Sequence, residues 1–212
     1  MTRTSVSNQG GPPVTPTDFG GEGGGENSGD RGGSRKASLT GLFVLMAASV
    51  MTFASLFSAL VVRRGLSNDW TKFPFPPVLW TNTVVLLASS VALDLARRSL
   101  KSGRRRAFNY LWPLGTLLGA GFLAGQIVAW RQLNFEGVYL AGNPSSSFFY
   151  VLTWAHAAHA VGGLAALIYV GVQALRYRLG PAKRTAVEVS TYFWHFLDVL
   201  WLGLMAIFLF WG

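Results

Sequence analysis

Residues 186–211 read AVEVSTYFWHFLDVLWLGLMAIFLFW, an apolar run broken by few polar side chains, among them Glu188, His195 and Asp198. Coiled as a helix at about 1.5 Å per residue, the run is long enough to cross a hydrocarbon core of about 30 Å. Lipid leaves a spanning backbone only two forms, a helix or a closed barrel, and this run lacks the alternation of a barrel strand. A membrane-spanning helix is therefore expected. An ionisable group near the bilayer centre costs about 2.5 to 3.5 kcal/mol on insertion scales, so His195 and Asp198 should turn inward toward partners.

Four further runs precede it, from about Ser38 to Val62, Pro77 to Ala96, Phe108 to Trp130 and Phe148 to Leu175. Proline and glycine mark the joints: Pro74, Pro76 and Pro77 lead into the second run, and Gly180 and Pro181 separate the fourth from the fifth. None of the runs alternates with period two, which excludes a barrel. The expected fold class is all-α, a polytopic membrane protein built as a bundle of five transmembrane helices. Residues 1–37 are rich in Gly, Ser, Thr, Pro and Asn, with Val6, Val14 and Phe19 almost the only bulky apolar side chains. Such a segment cannot bury enough surface to offset its ordering entropy, so 1–37 is expected as a disordered cytoplasmic tail and 38–212 as the membrane domain. The tail has no apolar core of its own and is not a signal peptide.

The 212 residues are 50% hydrophobic and 13% charged, with a formal net charge of +9 and no cysteine. Lack of cysteine excludes disulfides, thiolate metal sites, cysteine-held iron-sulfur clusters and covalently attached c-type haem. Any cofactor would rest on His, carboxylate or backbone ligands. Arg97, Arg98, Lys101, Arg104, Arg105 and Arg106 follow the second run, and Arg176, Arg178, Lys183 and Arg184 follow the fourth. Basic flanks of spans account for the net charge without nucleic acid, and they put those two connections in the cytoplasm. Arg31, Arg35 and Lys36 fit the same side; the first connection has Arg63, Arg64 and Lys72, and the third only Arg131. The N-terminus is expected inside and the C-terminus outside. Trp70, Trp80, Trp112, Trp130, Tyr139 and Trp211 fall near the run ends, as an interfacial aromatic belt requires.

His156 and His159, three residues apart, share a face of the fourth helix, and His195 and Asp198 do the same on the fifth. A short connection makes these helices antiparallel neighbours, and both His159 and Asp198 fall near the midplane, so a His159 to Asp198 hydrogen bond is expected. Three readings stay open for the cluster: metal or haem ligation by converging imidazoles, a proton relay, and a buried polar clamp between helices. A clamp of this kind is worth about 0.6 to 2 kcal/mol in a membrane. Asp94 stands three and four residues before Arg97 and Arg98, the spacing of a local ion pair. Glu188 is read into the first turn of the fifth helix, where the macrodipole favours an anion. Gln126 in the third run is expected as an interhelical hydrogen-bond partner, and Ala47, Ala48, Ser49, Ala54, Ser55, Ser58 and Ala59 as a close-packing face within the bundle or against another subunit.

In order, these residues resemble subunit III of the haem-copper respiratory oxidases in its five-helix bacterial form, over about 38–212. The most specific part is Phe193, Trp194, His195, Phe196, Leu197, Asp198, Val199, Leu200 and Trp201, which is similar to the family's Tyr-Trp-His-Phe-Val-Asp-Val-Val-Trp. Phe149 to Thr153, His156, His159, Gly162 and Gly163 resemble its Phe-Tyr-x-Leu-Thr-Gly-x-His-x-x-His segment and the glycines after it. Asn82, Thr83, Ser89 and Ser90 look like the second helix of that form, and Gln126 and Trp130 like the third. Three positions depart from it. Ser49 stands where the first helix commonly carries a membrane-embedded glutamate, Ala129 replaces a glutamate of the third helix, and Trp154 replaces the glycine before the histidines.

The resemblance implies a subunit of cytochrome c oxidase type with no redox centre and no active site of its own. Haem and copper would belong to subunits I and II, and this chain would pack on subunit I, bind membrane phospholipids and support proton uptake and sustained turnover in the bacterial inner membrane. It does not separate that type from homologues in quinol oxidase or nitric oxide reductase systems. From other classes, a small b-type cytochrome would pair His156 or His159 with His195 across one haem. A proton-coupled carrier using Asp198 would usually show internal repeats or broken helices, which the five runs lack.

Overall fold

The computed structural model describes residues 26–66, 77–135, 137, 144–176 and 181–211, without the side chains of 26–35, 175, 181–183 and 211. Five helices follow one another: α1 (Glu26–Leu66), α2 (Val78–Lys101), α3 (Arg105–Phe135), α4 (Pro144–Leu175) and α5 (Pro181–Trp211). All five are long and apolar enough to cross a membrane. Each is longer than its apolar run. Once a helix is nucleated each further residue adds its own hydrogen bond, so the coil continues into the cationic flanks. For α1 it runs back to Glu26, inside the Gly/Ser-rich segment; residues 1–25 of the expected tail lie outside the described residues.

Helix α5 is the hub. It packs against α1, α2 and α4, whereas α1 touches only α4 and α5 among the described residues. The expected antiparallel neighbours α4 and α5 do pack together. The most extensive contact joins α2 to α3 through a tight turn, in which Ser102 N–H donates to Arg98 O and Arg104 N–H to Ser99 O. Gly103 adopts φ +72°, a left-handed conformation open to glycine at little cost, and so reverses the chain.

Within the bundle the close-packing face lies on α3, not on α1. Of the small α1 residues only Ser49 is buried, its hydroxyl donating to Leu45 O; the rest are exposed, and Leu42, Phe53 and Leu60 make the inward stripe. On α3, Gly115 and Gly119 face α2 and α5 so closely that a Cβ would lie 2.7 Å from Leu93 and from Trp194 respectively. Ser89 takes advantage of the approach, donating to Gly115 O at 2.7 Å. Without a hydrophobic drive between helices in lipid, backbone proximity and interhelical hydrogen bonds are what hold them.

The aromatic belt holds only in part. Trp80 is exposed near the start of α2, but Trp112 is buried, donating to Leu167 O on α4 at 3.0 Å. Its indole N–H finds a partner only in the interior, which overrides its position near a span end. Trp130 is partly buried, stacked on Trp154 at 5.1 Å between centroids, and donates to Thr153. Trp70, Tyr139 and the Trp211 side chain lie outside the described residues.

Candidate functional site

Helices α2 and α5 run antiparallel, and polar side chains cross between them at four successive levels. Trp201 Nε1 donates to Thr83 Oγ1 at 3.0 Å. Seven residues further along α2, the Ser90 hydroxyl contacts both Asp198 Oδ2 and His195 Nδ1. At the next level Arg97 Nη1 donates to the Tyr192 hydroxyl at 3.1 Å, and at the last Lys101 Nζ meets Glu188 Oε1 at 3.1 Å. The seven-residue spacing keeps Thr83, Ser90 and Arg97 on one face of α2, and residues 188, 192, 195, 198 and 201 answer from α5.

The middle rung is the densest. His195 Nδ1 and Asp198 Oδ2 are 3.5 Å apart on one face of α5, as the i, i+3 spacing predicts, and Ser90 bridges them from α2. Asp198 is buried, and its Oδ1 has no hydrogen-bond partner among the described residues. His195 is half-exposed, and beyond its Nδ1 the ring lines a groove of about 560 Å³ between α1 and α5, with Leu42, Phe43 and Met46 on one wall and Glu188 and Tyr192 on the other.

The expected His159 to Asp198 hydrogen bond is not formed. His159 Nδ1 bonds Ala155 O one turn back at 2.7 Å, and its ring lies 5.6 Å from Phe53 of α1. The reason is helix phase. Three residues rotate a helical position by about 60° relative to a full turn, enough to aim His156 into the bundle and His159 at α1, while Asp198 faces α2. His156 is fully buried, edge-on to Phe122 at 5.9 Å and tilted over Trp201 at 5.1 Å, and among the described residues neither ring nitrogen is hydrogen-bonded. Among the described residues no three His, Asp or Glu side chains gather in a way that could hold a metal ion.

Two other polar positions keep partners. Gln126, buried on α3, accepts a 3.3 Å hydrogen bond from Asn82 of α2, the interhelical bond expected of it. Asp94 pairs with Arg97 at 2.7 Å and with Arg98 at 2.6 Å. Glu188 requires a correction. Helix α5 starts at Pro181, so this carboxylate sits about two turns inside rather than in the first turn, and its partner is Lys101. Ser90, like Thr83, Tyr192 and Lys101, has a partner across the α2–α5 contact that the sequence does not reveal. Its signal was its spacing of seven from Thr83 on a helix whose Asn82, Thr83, Ser89 and Ser90 were already noted together.

Because Ser90 joins α2 to α5, Ser90→Ala is expected to lower stability by about 0.6 to 1.7 kcal/mol, the range for interhelical hydrogen bonds in membranes. A double-mutant cycle of Ser90→Ala with Asp198→Asn, followed by unfolding in mixed detergent micelles, measures it; strictly additive effects would mean the two do not interact. Glu188→Gln is expected to cost no more than about 1 kcal/mol, since exposed Lys101 leaves that pair in contact with solvent.

The family model for cytochrome c oxidase subunit III matches residues 31–212. A probable cytochrome c oxidase subunit 3 of Nocardia farcinica is 31% identical over 174 residues, covering 78% of this chain and 84% of that protein. The cytochrome c oxidase subunit 3 of Corynebacterium diphtheriae is 33% identical over 177 residues, covering 77% and 83%. The similarity extends to the mouse cytochrome c oxidase subunit 3, 29% identical over 185 residues, with 81% of this chain and 69% of that protein covered. The chain is a multi-pass membrane protein and belongs to the cytochrome c oxidase subunit III family, whose members form a complex with other oxidase subunits.

Proposed function

We propose that this chain is the accessory, non-redox third subunit of a haem-copper terminal oxidase of the cytochrome c type, working in aerobic respiration. The observation that carries the proposal is the family match over 31–212, which takes in all four rungs of the α2–α5 ladder. Haem and copper belong to subunits I and II in this reading. The chain packs on subunit I, contacts membrane phospholipids along its apolar exterior, and supports proton uptake and turnover lifetime.

The exposed small residues of α1, among them Ala47, Ala48, Ala54 and Ala59, suit a helix of a neighbouring subunit, because small side chains let backbones approach. The basic connection around Arg104, Arg105 and Arg106 favours a cytoplasmic α2–α3 turn in a bacterial inner membrane, with the N-terminus inside and the C-terminus outside. The buried polar groups act as clamps on this account. Ser49 adds no ionisable group to the apolar stretch of α1.

A tag on this chain, used to purify it from the membranes of its own organism in mild detergent, tests the proposal. A haem-bearing, copper-bearing oxidase subunit is expected to come with it in equal amount, and a subunit II with a cytochrome c-oxidising domain beside it. Recovery of the chain without any oxidase subunit would overturn the reading; recovery with a quinol-oxidising subunit II would correct the donor.

A further inference from the structure

We infer that His195, Ser90 and Asp198 form a proton relay which loads a buried carboxyl from the groove between α1 and α5. The inference is independent of the chain's place in an oxidase, because it uses only groups of this chain. A serine hydroxyl has one proton to donate and lone pairs to accept with, and here it touches a carboxylate oxygen and an imidazole nitrogen at once. With Asp198 Oδ1 bare, two arrangements satisfy both contacts while the histidine is neutral. In the first, His195 carries its proton on Nδ1 and donates to Ser90 Oγ, while Ser90 donates to an ionised Asp198. In the second, Asp198 carries a proton on Oδ2 and donates to Ser90, while Ser90 donates to a bare Nδ1 and the imidazole proton sits on Nε2.

The two differ by one proton, and the path between them is explicit. A proton arriving at Nε2 makes the imidazolium. Nδ1–H then passes its proton to Ser90 Oγ as Ser90 passes its own to Asp198 Oδ2, leaving a neutral imidazole, a neutral hydroxyl and a neutral carboxyl. One O–H forms on Asp198, one N–H forms at Nε2 and one is lost at Nδ1, and no heavy atom has to move.

Access and termination are both on the structure. The His195 ring is half-exposed and lines the groove, so its free edge is the entry. Asp198 Oδ1 is buried and has no hydrogen-bond partner among the described residues, so the chain of bonds stops there and the carboxyl stores the proton instead of passing it on. The charged and titratable groups around the relay have other partners. On α5, Glu188 is paired with Lys101 of α2 and Tyr192 with Arg97. Asp94 of α2 is paired with Arg97 and Arg98. On α4, His159 is held by Ala155 O and His156 packs against Phe122 and Trp201, and α1 lines the groove with apolar side chains alone. An ionisable group in a membrane span that turns inward to a hydrogen-bonded series is the usual form of a proton site.

The test is infrared spectroscopy of the full-length chain in nanodiscs made from its own membrane lipids, following the C=O stretch of protonated carboxyl groups as pH is stepped and as H₂O is replaced by D₂O. The expected result is one band that rises on acidification, shifts in D₂O and is missing in Asp198→Asn. In Ser90→Ala its isotope exchange should slow by about 100-fold, at the low end of what a positioned proton-transfer group supplies, and Ser90→Thr, which restores the hydroxyl, should recover the rate. If Asp198→Asn does not fold, the contrast between Ser90→Ala and Ser90→Thr identifies the band. A band that does not respond to pH would overturn the relay, as would exchange equally fast in Ser90→Ala and the unaltered chain.

Discussion

Trp201→Ala is expected to be the most damaging single truncation, lowering the stability of the bundle by about 3 to 5 kcal/mol. The indole is fully buried and sits where three helices meet. Its ring lies edge-on to Phe122 of α3 at 5.1 Å and against His156 of α4 at 5.1 Å, and its N–H donates to Thr83 of α2. Truncation leaves a cavity that side chains on three separate helices cannot close together, and it strips the packing from a histidine that has no hydrogen bond among the described residues. Trp201→Phe should retain most of the volume and lose chiefly the bond to Thr83, about 0.6 to 1.7 kcal/mol. Unfolding curves in mixed micelles check both. Equal losses in the two variants would show that the hydrogen bond and not the packing carries the site.

Gly119→Leu is expected to have an effect of the same order from the opposite cause. A Cβ at this position would already stand 2.7 and 2.9 Å from two atoms of the Trp194 ring. The ring has little room to retreat, because Trp194 is fully buried and its other edge faces Gly163 of α4. The helices must separate instead, at a cost of about 1 to 3 kcal/mol or more once the rest of the leucine is added. Gly162→Leu is the control: nothing lies within 4 Å of its Cβ position, so the change should fall within about 0.5 kcal/mol. The yield of monodisperse protein after purification separates the two, and similar yields would contradict the account of α3 packing.

The number and type of elements could be read from the chain because each apolar run is long enough to span lipid, and lipid permits little else to such a run. Local pairs were equally legible: Asp94 with Arg97 and Arg98, and His195 with Asp198, follow from helical spacing alone. Contacts between helices were not. The partner of Asp198 is Ser90, far away in sequence on a helix whose small polar residues carry no sign of which neighbour they face. His159 is expected to meet Asp198 because both fall near the midplane, yet depth does not set helix phase, and the step from His156 turns one ring into the core and the other toward Phe53. Small residues on α1 and glycines on α3 look alike as sequence, and only the packing separates the exposed set from the buried one.

The account's central claim, an accessory subunit whose buried polar groups bind helices and not redox metals, is tested most directly by removing this chain from the purified oxidase with detergent and measuring haem content, initial oxygen-consumption rate and its decay. The expected result is a complex that keeps its haem and most of its initial rate and inactivates sooner than the intact one, with no haem leaving on the released chain. Loss of haem with this chain, or an initial rate that falls to nothing when it is removed, would contradict the account.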